Sequence, residues 1–370
     1  MTLPHIPFHA YRRRAERMRA YMAELGFDVL LATPSVNFRY LTGCEIPPSE
    51  RLRALLFHRE AIPTLVVPEF EREQILSIPI RTRMVTWRDG QDPFEAIRRE
   101  VGDAPGITIG LEPRTDFGVY ARLVRAVPEA QWVDGSAIFE RLRCAKEEEE
   151  IDCLRAAAQI TEQAFDKMPE LVRDGIREIE LAQRLVREMG SRGGEGSWAF
   201  VRFGENTAVP YCMPGNRSLA AGDPILADIG TRVGGYHSDV ARVFAYRKAG
   251  GALKRLHDIV REAQDAAIGR VMPGAPVSEA DAAARAVLHR HEHGPHCPLR
   301  IGHGIGLDRR EPPYLVSGSR ERLRPGMVLT IEPAIYLPER LGVRLEDQAV
   351  VTEEGARLLT TRTETLPVLS

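Results

Sequence analysis

Hydrophobic positions in the first 140 residues follow helical spacing in some segments and continuous apolar runs in others. Residues 10–26 carry apolar side chains at helical spacing, which directs Met18, Met22 and Leu25 toward a core. FDVLLAT (27–33) is an unbroken apolar run and predicts a buried strand, after which Pro34 and Ser35 start a short helical turn through VNFRYLTG. RALLFH, TLVVP and TRMVTW are further strands, separated by polar or proline-bearing links. ITIGLE (107–112) is another strand, followed by a helix near 116–126. Strands alternating with helices predict an α/β domain over residues 1–140.

The pattern changes near residue 140. FERLRCAKEEEEIDCLRAAAQITEQAF reads as one long charged helix, with Lys146–Glu150 on a solvated face or at a helix start. A second helix is predicted from about 176 to 190, and the glycine-rich GSRGGEGSWAF then leads into a strand-rich region. A third helix spans 252–270 and stops at VMPGAPVSEAD, where Pro273, Gly274 and Pro276 break the pattern. Ser278, followed by Asp281, reads as the N-cap of a fourth helix. A chain of 370 residues accommodates two such domains, 1–140 and 141–370.

Composition narrows the function classes. The apolar fraction of 44% and charged fraction of 28% are those of a globular protein. With 50 basic against 52 acidic side chains and no basic stripe, nucleic acid is not an expected partner. The cysteines, Cys44, Cys144, Cys153, Cys212 and Cys297, are odd in number and lack the close spacing of a zinc or redox site, which fits a reducing cytosol. The N-terminal stretch has no apolar core of signal-peptide type, and no segment approaches the ~18 apolar residues of a membrane span. A cytoplasmic protein without membrane contact is expected.

The chemistry concentrates in the last third of the chain. Asp228, Asp239, His303, Glu332 and Glu346 lie in LADIG, HSDVARVF, IGHGIGL, LTIEPAIY and GVRLEDQAVV, each a strand or strand edge. Four carboxylates and one imidazole suit a pair of divalent cations, because carboxylates bridge metals and imidazole accepts manganese, iron, cobalt or zinc. Two such ions a few Å apart can clamp and activate a water for hydrolysis. PILADIG, a TRVGG turn and YHSDVARVF form a hairpin that brings Asp228 and Asp239 to one level. Strand parity puts Arg344 and Glu346 on one face, and Val328, Thr330 and Glu332 on another. Gly302 and Gly304 let the backbone beside His303 approach a partner closely.

Taken singly, a strand carboxylate is more often a surface or ion-pair residue, and a lone histidine is more often structural than a ligand. The signal lies in the set. The crowd of His289, His291, His293 and His296 is a different case: it follows a helix and ends in Gly-Pro, where histidines complement the helix dipole, so a structural or surface role is expected.

These segments, with GENTAVPYCMPGNRSLAAGD, GHGIGLDRREPPYLV and RPGMVLTIEPAIYLP, resemble the pita-bread metallopeptidases: methionine aminopeptidase, prolidase, aminopeptidase P and the non-peptidase creatinase. The resemblance covers roughly residues 140 to 365, and the step of 11 residues from Asp228 to Asp239 fits it. It implies a creatinase N-terminal-like α/β domain (1–140) before an α+β pita-bread catalytic domain (141–370). It further implies two divalent metal ions, manganese first and zinc, cobalt or iron as alternatives. Asp228 would bind one ion in bidentate fashion, Asp239 and Glu346 would bridge, and His303 and Glu332 would complete the ligand set of the second ion. Glu332 would also shuttle the proton as general base and then acid. A homodimer is implied as well.

Three positions depart from the family pattern. Tyr211 and Arg310 stand where prolidase-like members usually have histidines, and Leu299 stands where many carry a histidine four residues before His303. Tyr211 still donates a hydrogen bond, but an ordinary pKa near ~10 makes it a poor proton shuttle. Arg310 cannot act as a base, yet it can hold an oxyanion or grip a carboxylate. Tyr211, Arg310 and Arg344 are therefore the expected substrate-binding residues, the first two in catalytic positions with Glu332. The expected function is hydrolysis of short peptides, as by an Xaa-Pro dipeptidase or aminopeptidase. The alternative is a small non-peptide substrate, as for a creatinase-like or ectoine-hydrolase-like amide hydrolase or a lyase. A non-catalytic binding module is a third reading, opposed by the complete ligand set.

Overall fold

The computed structural model describes residues 3–370 except 48, 76, 77, 103, 104 and 299. Two compact units form: Ile6–Arg143, and Cys144–Ser370 joined by the start of the chain as far as His5.

The first unit contains β1 (Val29–Ala32), β2 (Ala54–His58), β3 (Thr64–Pro68), β4 (Arg83–Trp87), β5 (Thr108–Leu111) and β6 (Gln131–Asp134). Its helices are α1 (Phe8–Leu25), α2 (Val36–Thr42), α3 (Arg72–Ile75), α4 (Pro93–Val101), α5 (Phe117–Ala126) and α6 (Ser136–Cys144), the last residue of which opens the second unit. The sheet runs β4-β3-β2-β1-β5-β6, with β2 antiparallel to both neighbours and the other pairings parallel. Met18 and Met22 of α1 are buried as their spacing implies, but Leu25 is 41% exposed. The helix ends there because Gly26 takes a left-handed conformation and returns its N–H to the Met22 carbonyl, so Phe27 is the next side chain to be buried.

The carboxyl ends of β1 and β5 diverge, because the chain leaves β1 toward β2 and β5 toward β6. A cavity of about 840 Å³ opens at this switch point, lined in part by Thr33, Pro34, Arg53, Arg114 and Arg122. Several of its guanidiniums already have carboxylate partners: Arg51 with Asp89, Arg53 with Glu71, and Arg122 with Asp92.

The second unit begins with a departure from expectation. The predicted long charged helix is two helices, α6 and α7 (Glu148–Asp166). Between them Ala145 makes an antiparallel bridge to Met327, and Lys146 donates its N–H to Gly326 at 2.8 Å and pairs with Glu311 at 2.8 Å in the interior. Tertiary pairing therefore overrides helical propensity at 145–147. Glu147 then restarts the helix through a capping box with Glu150.

There follow α8 (Met168–Leu171), α9 (Glu178–Ser191), β7 (Glu195–Phe203), β8 (Pro224–Val233), β9 (Tyr236–His237), β10 (Val240–Tyr246), α10 (Gly251–Ile268) and α11 (Val277–Arg290). The chain continues through β11 (Gly302–Gly304), β12 (Glu311–Leu315), β13 (Val328–Ile331), β14 (Ala334–Leu337), β15 (Leu341–Arg344), β16 (Asp347–Thr352), β17 (Gly355–Leu358) and β18 (Val368–Leu369). Ser278 is not the N-cap of α11. The helix starts at Val277 after Pro276, and segment 321–322 supplies what a cap would: Val277 N–H donates to Glu321 O and Pro276 bridges Arg322.

One sheet runs β18-β10-β8-β7 with β9 beside β8, a second runs β12-β11-β13-β16-β17, and β14 pairs with β15. Helices α7 and α9 share a core with Ala227 and Ile229. Helices α10 and α11 share another with Leu329, Ile331, Val343 and Leu345. Side chains alternate along a strand, so Asp228, Thr330, Glu332, Arg344 and Glu346 point away from those neighbours. The two hydrophobic cores thereby aim the acidic residues at one another.

Candidate metal centre

Asp228 lies within β8, and Asp239, Glu332 and Glu346 sit directly beside the ends of strands. Asp228 of β8 pairs with Ala241, and Ile229 faces Val240, so Asp228 and Asp239 lie diagonally on one face. The hairpin is tighter than expected: β8 continues through Val233, leaving Gly234 and Gly235 as the turn, both at positive φ. Glu346 N–H donates to Ala241 O at 3.1 Å, which joins the two sheets at the site. His303 pairs with Thr330, and Glu332 N–H donates to Ile301 O at 2.6 Å. A Cβ at Gly302 would collide with the Thr330 carbonyl, and one at Gly304 with the Pro312 carbonyl. Glycine on both flanks is what lets His303 sit this deep.

All five side chains are buried. Ligand atoms of Asp239, His303 and Glu346 lie within 4.8 Å of one another. His303 Nδ1 is 3.0 Å from Gly304 O, an acceptor only, so in the neutral ring Nδ1 carries the proton and Nε2 offers a lone pair. Nε2 lies 3.3 Å from Glu332 Oε1 and 3.9 Å from Asp239 Oδ2. Asp228 Oδ1, Glu346 Oε1 and His303 Nε2 are buried with no hydrogen-bond partner among the described residues. Orphaned buried acceptors of this kind call for a cation. Burial pushes the Asp239 carboxyl well above its ordinary range, as does the neighbouring Asp228. Burial does the same to Glu346, with Asp239 and Glu332 adding to it. Burial also opposes the charge on Glu332, but His303, whenever its Nε2 carries a proton, and the guanidiniums of Arg344 and Arg310 hold it below the usual carboxylate value. Divalent ions would replace the protons this cluster otherwise keeps, so the donor set fits a metal centre.

The surrounding cations differ in role. Arg344 is buried, pairs with Asp228 Oδ2 and donates to the Tyr336 hydroxyl at 3.2 Å. Arg310 is half-buried. Burial weakens its charge, yet Asp239 above all strengthens it, and the guanidinium stays protonated. Its guanidinium carbon lies 5.5 Å from the Tyr211 ring, and it makes no hydrogen bond or ion pair among the described residues. Tyr211 is 63% exposed, and its hydroxyl makes no hydrogen bond among the described residues. Leu299 lies outside the described residues.

Four side chains at the site, Arg309, Trp198, Phe200 and Arg202, went unnoticed in the sequence. Arg309 lies over Trp198 at 4.4 Å and Phe200 at 5.8 Å, with Nε 4.0 Å from Asp239 Oδ2. Arg202, buried, donates from Nη1 to Pro210 O at 2.6 Å and to Val209 O, and so holds the backbone that carries Tyr211. Because Phe200 pairs with Asp228, the alternating Trp198, Phe200 and Arg202 all share the aspartate's face. That alternation was the available signal. The histidines at 289–296 do not converge: His291 Nε2 contacts Glu262 at 3.0 Å, and the His293 and His296 rings meet edge-on at 5.6 Å.

Known proteins resemble this chain over most of its length. Residues 152–353 match the model of metallopeptidase family M24, and residues 14–145 match the creatinase/prolidase N-terminal domain. The putative dipeptidase YkvY of Bacillus subtilis is 31% identical over 362 residues, covering 96% of this chain and 99% of the relative. The crystal structure of dipeptidase PepE from Mycobacterium ulcerans superposes with a TM-score of 0.93 at 29% identity, covering 99% of each chain. That of a prolidase from Thermococcus sibiricus gives 0.92 at 30% identity, covering 97% of this chain and 99% of the other. The chain belongs to metallopeptidase family M24, with a creatinase-type N-terminal domain, and is a metal-dependent peptidase.

Proposed function

We propose that this protein is a dinuclear metal dipeptidase whose substrates are short peptides of the Xaa-Pro class. The observation that carries the reading is the buried ligand set with its orphaned acceptors on Asp228, His303 and Glu346. Asp228, Asp239, His303, Glu332 and Glu346 would hold two divalent ions. Bound ions of this kind polarise a carbonyl and acidify a water. The remaining work falls to the chain. Arg344 fixes one oxygen of Asp228 and leaves Oδ1 free as a ligand, one oxygen where the expected bidentate binding would use two. Glu332, kept ionised beside His303, takes the proton of the attacking water and returns it to the leaving nitrogen. Arg310, which has no hydrogen-bond or ion-pair partner among the described residues, grips the substrate carboxylate.

Manganese is the first assignment, and the same donors also accept zinc, cobalt or iron. Five thiols free of disulfides support a reducing, cytoplasmic setting. No helix among the described residues is long and apolar enough to cross a membrane. A homodimer is expected and can be checked by light scattering.

Elemental analysis of metal-replete protein should find up to two divalent ions per chain, in line with a two-metal hydrolytic site. Exhaustive demetallation should remove activity, and retained turnover would end the metal reading. With manganese added, Xaa-Pro dipeptides should be cleaved in preference to Xaa-Pro-Yaa tripeptides, because a dipeptide carries its carboxylate close to the scissile bond. Turnover of a non-peptide amide with no cleavage of any proline peptide would instead favour a creatinase-like substrate. Arg310→Met should narrow the dipeptide preference by about one to two powers of ten, the scale of a charge-assisted contact of roughly 1.5–3 kcal/mol. Amidating the dipeptide should weaken turnover by wild type but hardly alter that of Arg310→Met.

A further inference from the structure

Arg309 and Arg310 are adjacent in the chain, yet they rest on different aromatic supports. Arg309 lies over Trp198 and Phe200, whereas Arg310 faces Tyr211. Their positive ends therefore occupy separate places beside one acidic cluster. Arg309 makes no hydrogen bond among the described residues, and its ion pair is the 4.0 Å approach of Nε to Asp239. A guanidinium braced on aromatic faces keeps its donors available and loses little freedom when an anion arrives.

Charge balance gives these two residues a purpose. Asp228, Asp239, Glu332 and Glu346 offer four negative charges, which two divalent ions would cancel. Arg344 already answers Asp228. Once Asp239 serves the ions, Arg309 loses its carboxylate, and Arg310 has none among the described residues. Arg309 and Arg310 are then left without a carboxylate partner among the described residues, in half-buried positions. A dipeptide with neutral side chains brings one carboxylate to this pair, and a dipeptide with one acidic side chain brings two. As a packing residue alone, Arg309 would need only its stacking on Trp198.

We propose that Arg309 forms a second carboxylate subsite, so that dipeptides bearing an aspartate or glutamate side chain are preferred. The α-carboxylate goes to Arg310 and the side-chain carboxylate to Arg309. The proposal rests on the peptidase reading given above.

The test compares Ala-Glu with Ala-Gln and Glu-Ala with Gln-Ala on the manganese-loaded protein. In at least one pair the acidic member should have the higher kcat/KM by about tenfold, the scale of one charge-assisted hydrogen bond, and the gain should lie in KM. Arg309→Gln should bring that ratio close to one, Arg309→Lys should keep part of it, and Arg310→Met should lower both members together. No acidic preference in either pair for wild type, or an unchanged ratio in Arg309→Gln, overturns the subsite. If none of these dipeptides and no proline peptide is hydrolysed, the peptidase reading has failed separately. The subsite is then judged by calorimetric binding of glutarate against its monoamide, glutaramate. Tighter binding of glutarate that Arg309→Gln abolishes upholds it, and equal binding of the two overturns it.

Discussion

Asp239→Ala should yield a folded protein that neither retains its metal nor hydrolyses peptides. The residue sits between Asp228, Glu346 and His303, and its carboxyl is forced well above the ordinary range by burial and by Asp228. In the metal-free protein that carboxyl opposes folding as pH rises. A carboxyl whose folded pKa exceeds its unfolded value binds extra protons in the native state, so stability falls between the two values. Removing it should leave the metal-free fold at least as stable near neutral pH. The metal-loaded fold should lose its added stability, because a ligand stabilises only in proportion to its binding. Catalysis should drop by more than the ~10–100-fold typical of losing a supporting contact around a metal. Thermal melts with and without manganese, together with elemental analysis, separate these effects. Normal metal content in the variant would remove Asp239 from the centre.

Glu332→Gln is expected to be the more informative substitution, because it preserves shape. Glu332 is buried, its Oε1 is 3.3 Å from His303 Nε2, and its backbone is anchored to Ile301. The amide keeps an oxygen that can ligate but cannot take a proton. Turnover should fall by at least ~100-fold, the usual scale of one general acid–base contribution. Metal content should fall much less than in Asp239→Ala. Near-normal turnover would place the proton shuttle elsewhere.

The acidic cluster was legible in the sequence because strand parity is a strict rule. Once Val343 and Leu345 are assigned to a core, Arg344 and Glu346 must face the other way, and both are buried at the site. The helix break at 145–147 was not legible, since it depends on Met327 and Gly326, about 180 residues away. The start of α11 was not legible for the same reason, because the distant segment 321–322 replaced the expected serine cap. Leu25 followed the helical period but met the end of its helix. Trp198, Phe200 and Arg202 escaped notice because their place depends on the pairing of β7 with β8, and short spacings do not reveal which strands pair; Arg309 escaped with them because its support is that aromatic pair.

The glycines beside His303 divide the site into a part that tolerates change and a part that does not. Backbone carbonyls fill the space a Cβ would need at Gly302 and Gly304, so drift there is closed to every other residue. Trp198, Tyr211, Arg309 and Arg310 are all at least partly exposed and belong to no backbone-locked contact of that kind. A saturation library at these four positions would search for new substrates while leaving the metal ligands intact. Natural descendants of this chain would be expected to diversify along the same route, keeping one reaction and exchanging what it acts upon.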